Sequence, residues 1–251
     1  MSIPNNDHSL SHSKNLVEES WNQYLAGLID GDGYLGISNK GFACLEITMD
    51  IYDEYALNKV KQKLGGSVKL RSGARAFRYR LHHKTGILVL LHRINGYIQN
   101  SKRIPQLEKM CNLYEIPYKD PVKIKRDNSW FAGFFDADGT IGYSIKKGWP
   151  QLTISVSNKK EIDLMPFKEV FGGFCRLDKA SNTYKWDIYS TEAVSDFCEY
   201  LREHPLHSRK KQRIFLVKRF YELRDCRAYK EDPNSLLFKA WVQFEKDWNT
   251  L

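Results

Sequence analysis

The chain has 251 residues, 42% of them hydrophobic, and its 39 Lys and Arg against 30 Asp and Glu give a net charge of +9. This composition excludes a disordered polypeptide and predicts a globular protein with a polyanionic partner such as nucleic acid. The longest strongly apolar run, residues 87–91, is too short for a membrane span, so no membrane role is predicted. Five cysteines without a Cys-x-x-Cys pair indicate reduced thiols in a protein that is not secreted.

The predicted elements follow one order twice along the chain. A polar N-terminal tail covers residues 1–20, and a first subdomain covers residues 21–116. A charged linker with two prolines covers residues 117–128, and a second subdomain covers residues 129–251. Alternating and helical spacing of apolar residues predicts helix, two strands, helix, two strands, helix in each subdomain. Pro166 predicts a short or broken helix, and an apolar stripe from Leu237 to Trp248 predicts a packed C-terminal helix.

Two nine-residue stretches are near copies of each other, 106 positions apart. The first is Leu25–Gly33 and the second is Phe131–Gly139. Each is typical of an apolar helix ending in two carboxylates, which a helix C-terminus disfavours unless a hard cation binds there. An EF-hand does not fit, because Tyr34 and Thr140 stand where its third ligand belongs. A simple Asp-Gly turn remains the alternative for either copy.

The repetition extends beyond these stretches. Gly65-Gly66 recurs at 172–173, and Tyr114-Glu115-Ile116 recurs as a similar triplet at 221–223, each 107 positions later. These matches indicate a duplicated unit. Small residues at 26, 27 and 31, and again at 132, 133 and 137, predict that the two apolar helices approach closely.

The stretch Leu25–Gly33 resembles the motif of the LAGLIDADG homing endonucleases, with Gly31 in place of Ala, and Phe131–Gly139 is similar. The resemblance, to the monomeric branch with two motifs, implies an α+β fold. It consists of two tandem αββαββα subdomains with antiparallel DNA-binding sheets, related by pseudo-twofold symmetry about the paired helices. The implied metal ligands are Asp32 and Asp138 with the carbonyls of Gly31 and Ala137. Asp30 and Asp136 would instead support the helix ends.

The resemblance also implies Mg²⁺ as cofactor, about two or three divalent ions per complex, with Ca²⁺ binding without cleavage. A polar residue after the core strand would position water, and Asn158 is the candidate. Its counterpart at the fixed repeat offset is Ile51, which predicts unequal sites, with Asp50 as a polar neighbour. The basic residues expected near the reacting phosphates are Lys102, Arg209 and Lys210.

The polar faces of the two sheets are the predicted DNA-binding surfaces, because a β-ribbon fits the major groove and Arg, Lys, Ser and Thr contact bases and phosphates. The candidates in the first subdomain are Ser38, Lys40, Glu46, Thr48, Arg71, Arg75, Arg78, Arg80 and His82. Those in the second are Ser144, Lys146, Thr153, Ser155 and Lys185.

Three functions follow from these features. The first is a site-specific endonuclease of the intron-homing type that cuts both strands of duplex DNA, acts as a monomer and is encoded in a mitochondrion or, second in order, a chloroplast. The second is a maturase that binds its host group I intron RNA and assists splicing. The third is a DNA-binding regulator without catalysis, which the intact acidic motifs disfavour.

Overall fold

The computed structural model describes the backbone of residues 7–250 and the side chains of residues 15–250. The chain divides into two compact units, Met1–Ala137 (unit 1) and Asp138–Leu251 (unit 2). Each unit contains one four-stranded antiparallel sheet and several helices, which confirms the predicted α+β class. Among the described residues, no helix combines the length and apolar character that a membrane crossing requires.

Unit 1 follows the predicted order and adds one helix. Its elements are α1 (Asp7–Asp32), β1 (Gly33–Ile37), β2 (Ala43–Asp50), α2 (Glu54–Leu64), β3 (Ser67–Leu70), β4 (Ala76–Leu81), α3 (Lys84–Ile94), α4 (Ile104–Leu113) and α5 (Trp130–Asp138), of which all but the last residue belongs to this unit. The strand order is β1-β2-β4-β3, with antiparallel neighbours throughout. The helix α4 was not among the predicted elements.

Side-chain alternation along β2 gives this sheet its two faces. Leu45 and Ile47 are fully buried on the face against α1, α2 and α3, whereas Glu46 and Thr48 between them are half-buried on the other face. Strand residues alternate in direction with a period of two, so one face forms the core and the other can meet a ligand. Strands β1 and β2 pair antiparallel, so the predicted hairpin with one buried face is confirmed.

Unit 2 repeats this topology. Its elements are β5 (Gly139–Lys146), β6 (Trp149–Asn158), α6 (Met165–Phe171), β7 (Phe174–Asp178), β8 (Thr183–Ile188), α7 (Thr191–Glu203), α8 (Lys210–Asp225) and α9 (Leu236–Thr250). The strand order β5-β6-β8-β7 corresponds to that of unit 1. Pro166 lies in the first turn of α6, where its missing N–H costs nothing, and the helix is only seven residues long, as predicted.

The two sheets differ in the length of their first hairpin. Gly33 pairs with Ile47 in unit 1, whereas Gly139 pairs with Val156 in unit 2, so the repeat offset rises from 106 at the first strand to 109 at the second. The register-equivalent of Asn158 is therefore Met49, which corrects the predicted pairing with Ile51. A constant offset failed because the β5–β6 hairpin is three residues longer. Met49 is also apolar, so the inequality of the two sites stays a prediction.

The predicted N-terminal tail is not separate from the first helix. Helix α1 begins at Asp7, so residues 7–20 continue the motif helix, and residues 1–6 lie outside the described residues. Side chains anchor this extension from position 18 onward. Glu18 forms ion pairs with Lys63 and Arg93, and Glu19 accepts a hydrogen bond from Tyr97. These contacts to the rest of unit 1 lie far along the chain, so local composition did not reveal them.

The boundary between the compact units also differs from the boundary of the sequence repeat. The repeat begins its second copy near residue 129, but α5 is grouped with unit 1 because it packs on α1. A segment can therefore belong to one repeat in sequence and to the other in packing.

The C-terminal helix α9 packs as predicted. Its Trp241, Phe244 and Trp248 are buried around Tyr143 of β5, with ring centroids 5.5 to 6.0 Å from that of Tyr143. The Tyr143 hydroxyl donates to Glu245 at 2.9 Å. This aromatic cluster extends the core of unit 2. All five cysteines are free thiols, as expected.

Candidate active site and nucleic-acid interface

The two motif helices α1 and α5 approach each other at glycines. A Cβ atom built on Gly27 would lie 2.0 Å from the carbonyl oxygen of Trp130, and one built on Gly133 would lie 1.9 Å from that of Tyr24. No side chain fits there, since the obstacles are backbone atoms. The predicted close approach of the two helices is confirmed, and it explains why each motif carries glycine at its third position.

Asp30 and Asp136, the sixth residues of the two nine-residue motifs, are buried and hydrogen-bonded across this helix pair. Trp130 Nε1 of α5 donates to Asp30 Oδ2 at 2.7 Å, and Tyr24 Oη of α1 donates to Asp136 Oδ2 at 2.6 Å. Both carboxylates are only 1% exposed. The two bonds are exchanged between the helices, because positions 24 and 130 correspond in the repeat. Asp30 and Asp136 therefore join the helices, which fits the supporting role expected of them.

Burial also raises the pKa values of Asp30 and Tyr24 in this helix pair. Desolvation raises the pKa of Asp30 to about 7, although hydrogen bonds from the Gln99 amide and the Trp130 indole act in the opposite direction. Burial, with the neighbouring Asp136 carboxylate, raises the pKa of Tyr24 well above its ordinary value, so its hydroxyl stays a donor. Asp30 is thus partly protonated near neutrality.

Asp32 and Asp138, the eighth residues of the two motifs, have a different environment. Asp32 ends α1 and Asp138 ends α5, and both side chains are half-buried rather than enclosed. Gly31 and Ala137, whose carbonyls are the other expected ligands, are also partly exposed. The carboxylates expected to bind metal are therefore the more accessible pair, and the sixth-position carboxylates are the enclosed pair.

Arg103 lies at the C-terminus of α1, a feature that the sequence reasoning missed. Its Nε donates to the Ile29 carbonyl at 3.2 Å, and its Nη2 donates to the Gly31 carbonyl at 3.3 Å. A cation at a helix C-terminus offsets the partial negative charge there. Its position directly after Lys102 offered a signal, but the repeat pointed to Lys102 instead.

The predicted basic residues occupy corresponding segments of the two units. Lys102 is exposed in the turn before α4, and its backbone amide donates to Asn100 Oδ1 at 2.9 Å. Arg209 precedes α8 and Lys210 begins it, both half-buried. Arg213, one turn further on, donates to the Ile141 carbonyl at 3.0 Å and so attaches α8 to β5.

The donor set at each motif fits a hard divalent cation that also binds substrate. The described residues contain no group of three or more His, Cys, Asp or Glu placed to hold a metal by themselves. Each motif instead offers one accessible carboxylate preceded by a backbone carbonyl. The Gly31 carbonyl accepts from Arg103 with one lone pair, which leaves its second lone pair for a metal. Mg²⁺ commonly binds one or two carboxylates together with water and substrate phosphates, so oxygen donors of this number and type suit it.

The polar face of the unit 1 sheet brings four predicted residues together. Cross-strand register pairs Glu46 with Arg80 and Thr48 with Arg78. Ser67 and Lys69 of β3 continue the same two rows, although neither was predicted. Lys69, Arg71, Arg78 and Arg80 line a shallow cavity of about 200 Å³ at this edge. The other predicted residues lie at strand ends and turns, and all of them are exposed: Ser38, Lys40, Arg75 and His82.

The corresponding face of unit 2 is less basic. Ser144 and Lys146 are exposed on β5, and Thr153 and Lys185 are half-buried. All five predicted residues share this face with Thr140, Gln151 and Arg176, which were not predicted. Ser155 is the exception among the candidates, because its side chain is only 4% exposed. Alternation directs Ser155 to this face, but neighbouring atoms cover it, so its contact with DNA stays a prediction.

Asn158 is the last residue of β6 and is half-buried. Its side-chain oxygen accepts a hydrogen bond from the amide of Lys159 at 2.7 Å. Alternation places it on the same side of the strand as the buried Ile154 and Val156, at the end of that row. Its role in positioning water stays a prediction.

Two closely packed helices, one from each copy of the repeat and each ending in an accessible aspartate, define a class of protein. A family model described as LAGLIDADG endonuclease matches residues 25–114 and 131–221. These two matches correspond to the two repeats and cover most of the chain. The chain belongs to the LAGLIDADG endonuclease family.

Two relatives span nearly all of this chain. The "Intron-encoded RNA maturase bI4" of Saccharomyces cerevisiae is 49% identical over 91% of this chain and 36% of its own length. The "Probable intron-encoded endonuclease aI2" of Debaryomyces hansenii is 42% identical over 96% of this chain and 39% of its own length. The chain therefore spans less than two fifths of the length of either relative.

A solved structure shares the fold. The structure of I-SmaMI, bound to an uncleaved DNA target in the presence of calcium ions, superposes with a TM-score of 0.66. The match covers 92% of this chain and 98% of that one, at 14% sequence identity. At this identity the comparison supports the fold alone.

Proposed function

We propose that this chain is a divalent-metal-dependent endonuclease that cuts both strands of a specific duplex DNA target. The observation that carries the proposal is the different environment of the two aspartates in each motif. Asp30 and Asp136 are enclosed and hydrogen-bonded, whereas Asp32 and Asp138 are accessible. A purely structural duplication would have no need for an accessible carboxylate at the same place in both copies.

Asp32 with the Gly31 carbonyl, and Asp138 with the Ala137 carbonyl, would hold the metal, with Mg²⁺ as the expected ion and about two or three ions per complex. Bound there, the metal would supply an activated water and offset the charge on the phosphate and the leaving oxygen. The presence of calcium with an uncleaved target in the I-SmaMI structure supports the expectation that Ca²⁺ permits binding without cleavage.

The basic residues of the two units would stabilise charge on the phosphates that are cut. Lys102 serves unit 1, and Arg209 with Lys210 serves unit 2. Between residues 202 and 230 there are 10 Lys or Arg and 3 Asp or Glu, so most of these cations contribute to affinity for the DNA backbone. Asn158 would orient water in unit 2. Met49 at the equivalent position of unit 1 is apolar, which leaves the neighbouring Asp50 as the polar alternative there.

The polar faces of the sheets would contact the target, with the chain acting as a monomer because both motifs lie in one polypeptide. The named relatives are described as intron-encoded. We therefore expect the target to be the uninterrupted form of the host gene, and we expect that gene to be mitochondrial.

Cleavage of the joined-exon sequence tests the proposal. A duplex that spans the insertion site of the encoding intron should be cut on both strands in Mg²⁺, and should remain intact in EDTA. Asp32→Asn and Asp138→Asn should each keep binding and lose double-strand cleavage. Asp127→Asn, an exposed aspartate in the segment before α5, is the matched control and should cut normally. Full cleavage by both motif variants would overturn the proposal.

A second candidate function is RNA maturation. It is favoured by one observation, the 49% identity to a protein named an RNA maturase. The test is splicing of the host intron in the presence of the double variant Asp32→Asn, Asp138→Asn. Stimulated splicing without DNA cleavage would establish a maturase role, and no binding to that RNA would exclude it.

A further inference from the structure

Glu46 lies between two arginines on the polar face of unit 1. Its carboxylate oxygens are 2.9 Å from Arg80 Nε and 3.5 Å from Arg78 Nη1. Strand β2 carries the glutamate and β4 carries both arginines, with Glu46 directly opposite Arg80 in the register. One carboxylate therefore holds two guanidinium groups of the neighbouring strand.

This arrangement leaves donors of Arg80 available for a ligand, because its side chain is 46% exposed. Glu46 engages Nε of Arg80, and no ion pair among the described residues uses the two Nη atoms of that side chain. Arg78 is less accessible, because its Nε is buried and its side chain is only 25% exposed. A guanidinium fixed at one edge presents its remaining N–H groups as a rigid fork, and such a fork matches the O6 and N7 acceptors of guanine.

The surroundings favour nucleic acid over a small anion. The cavity beside the arginines is shallow and open, and Ser67, Lys69, Arg71 and Ser72 line it together with them. Lysine and serine at the rim suit backbone phosphates, while the arginines lie within the rows of the sheet face. The face therefore combines groups for positioning a duplex with groups that can distinguish bases.

Unit 2 has the opposite charge at the equivalent place. Asp187 of β8 occupies the register position of Arg80. In unit 1, Arg80 pairs with Glu46 and Ser67 on the two neighbouring strands. In unit 2, Asp187 pairs with Ser155 and Phe174 at the corresponding places. The Asp187 side chain is 2% exposed, and Arg176 Nη2 lies 3.2 Å from its carboxylate. A carboxylate cannot donate a hydrogen bond to guanine, so unit 2 has no arginine at the strand position of Arg80, and its Arg176 lies on the edge strand β7 instead.

We propose, on the basis of the proposed function, that Glu46 is a positioning residue that holds Arg80 for bidentate contact with a guanine in the major groove. The guanine lies in the part of the target that unit 1 contacts, with no equivalent guanine contacted from this strand position in unit 2. Glu46 thus sets specificity through an arginine while lowering the overall positive charge of the face.

The two effects of Glu46 have opposite signs, which makes the proposal testable. Loss of a bidentate arginine contact typically lowers the discrimination between bases by about 5- to 150-fold, which corresponds to about 1–3 kcal/mol. Removing the acid also removes a repulsion toward phosphate, so binding to DNA of unrelated sequence should stay the same or tighten. A merely structural role would instead weaken binding to every duplex.

The experiment is selection of binding sites from a randomised duplex library in Ca²⁺, with wild type, Glu46→Gln, Arg80→Ala and the double variant. Dissociation constants are then measured for the selected duplex and for versions with each other base at the affected position. Glu54→Gln removes the same charge from an exposed position on α2 and is the matched control. Thermal unfolding of each variant confirms that the fold is retained.

Wild type should select a motif with one guanine whose preference falls at least 5-fold in both single variants, and no further in the double variant. Glu54→Gln should leave the motif unchanged. Unchanged guanine preference in Glu46→Gln, or an equal loss of affinity for all duplexes, would overturn the proposal. If wild type cuts its target while Arg80→Ala keeps every base preference, only this inference fails. If a guanine preference depending on Glu46 appears without any cleavage, only the endonuclease assignment fails.

Discussion

Replacing Gly27 by alanine should destabilise the protein, although alanine is the better helix former. The substitution lies in the interior of α1, where it would ordinarily stabilise by about 1 kcal/mol. The added Cβ, however, would lie 2.0 Å from the Trp130 carbonyl oxygen, 2.8 Å from Phe134 N and 2.9 Å from the Trp130 carbonyl carbon. These are backbone atoms, so no rotamer change can relieve the overlap.

The size of the effect follows from this geometry. Ordinary contact begins at 3.4 Å, so the two helix backbones have to separate by about 1.4 Å at this point. Overpacking of a core typically costs about 1–3 kcal/mol, and the absence of a flexible neighbour puts this site at the upper end. After the gain in helix propensity, we expect a net loss of about 2 kcal/mol and a fall in Tm of about 4–8 °C.

Urea and thermal unfolding followed by circular dichroism and by tryptophan fluorescence measure this loss. Gly133→Ala should behave in the same way, because its Cβ would lie 1.9 Å from the Tyr24 carbonyl oxygen. Gly142→Ala is the matched control, since no atom lies within 4 Å of the added Cβ there, and its effect should stay within about 0.5 kcal/mol. A Gly27→Ala protein as stable as wild type would refute the close contact of the two helices.

Three further results are expected. The pKa of Asp30 is about 7 in the folded protein and roughly 4 in the unfolded chain. Between pH 4 and pH 7, the folded state therefore binds a proton at Asp30 that the unfolded state has lost. The contribution of Asp30 to stability should therefore grow as pH falls from 7 towards 4, by at most about 1.4 kcal/mol per unit, and Asp30→Asn should remove this dependence in urea midpoints measured at pH 5.5 and 8. Trp241→Ala should cost about 3–5 kcal/mol, measured by urea unfolding, because a fully packed aromatic side chain is lost, whereas Val242→Ala at the exposed neighbouring position should change little. Arg103→Ala should lower the free energy of unfolding by about 1 kcal/mol, because two carbonyls at the end of α1 lose their donor. Amide hydrogen exchange in the last turn of α1 should rise, and no rise would show that the guanidinium does not cap the helix.

Local patterns in the sequence were sufficient for the elements and their repetition. Alternation over Leu45, Ile47 and Met49 predicted β2 and its buried face, and Pro166 predicted a short helix. The paired motifs predicted two close helices, each ending in carboxylates. Patterns of this kind involve residues only a few positions apart, so they can be recognised without knowledge of the fold.

Three features of the site required tertiary structure. The bonds from Trp130 to Asp30 and from Tyr24 to Asp136 join residues 100 and 112 positions apart. The burial of Ser155 and the two arginines held by Glu46 depend on what neighbouring strands carry. None of these has a local sequence signature.

The sequence by itself determined that two carboxylates end each of two duplicated helices. Only the tertiary structure decided that one carboxylate of each pair is enclosed and the other accessible. The physical reason is that periodicity along a chain specifies the direction of a side chain, whereas desolvation and hydrogen bonding are set by atoms that the fold brings from distant positions.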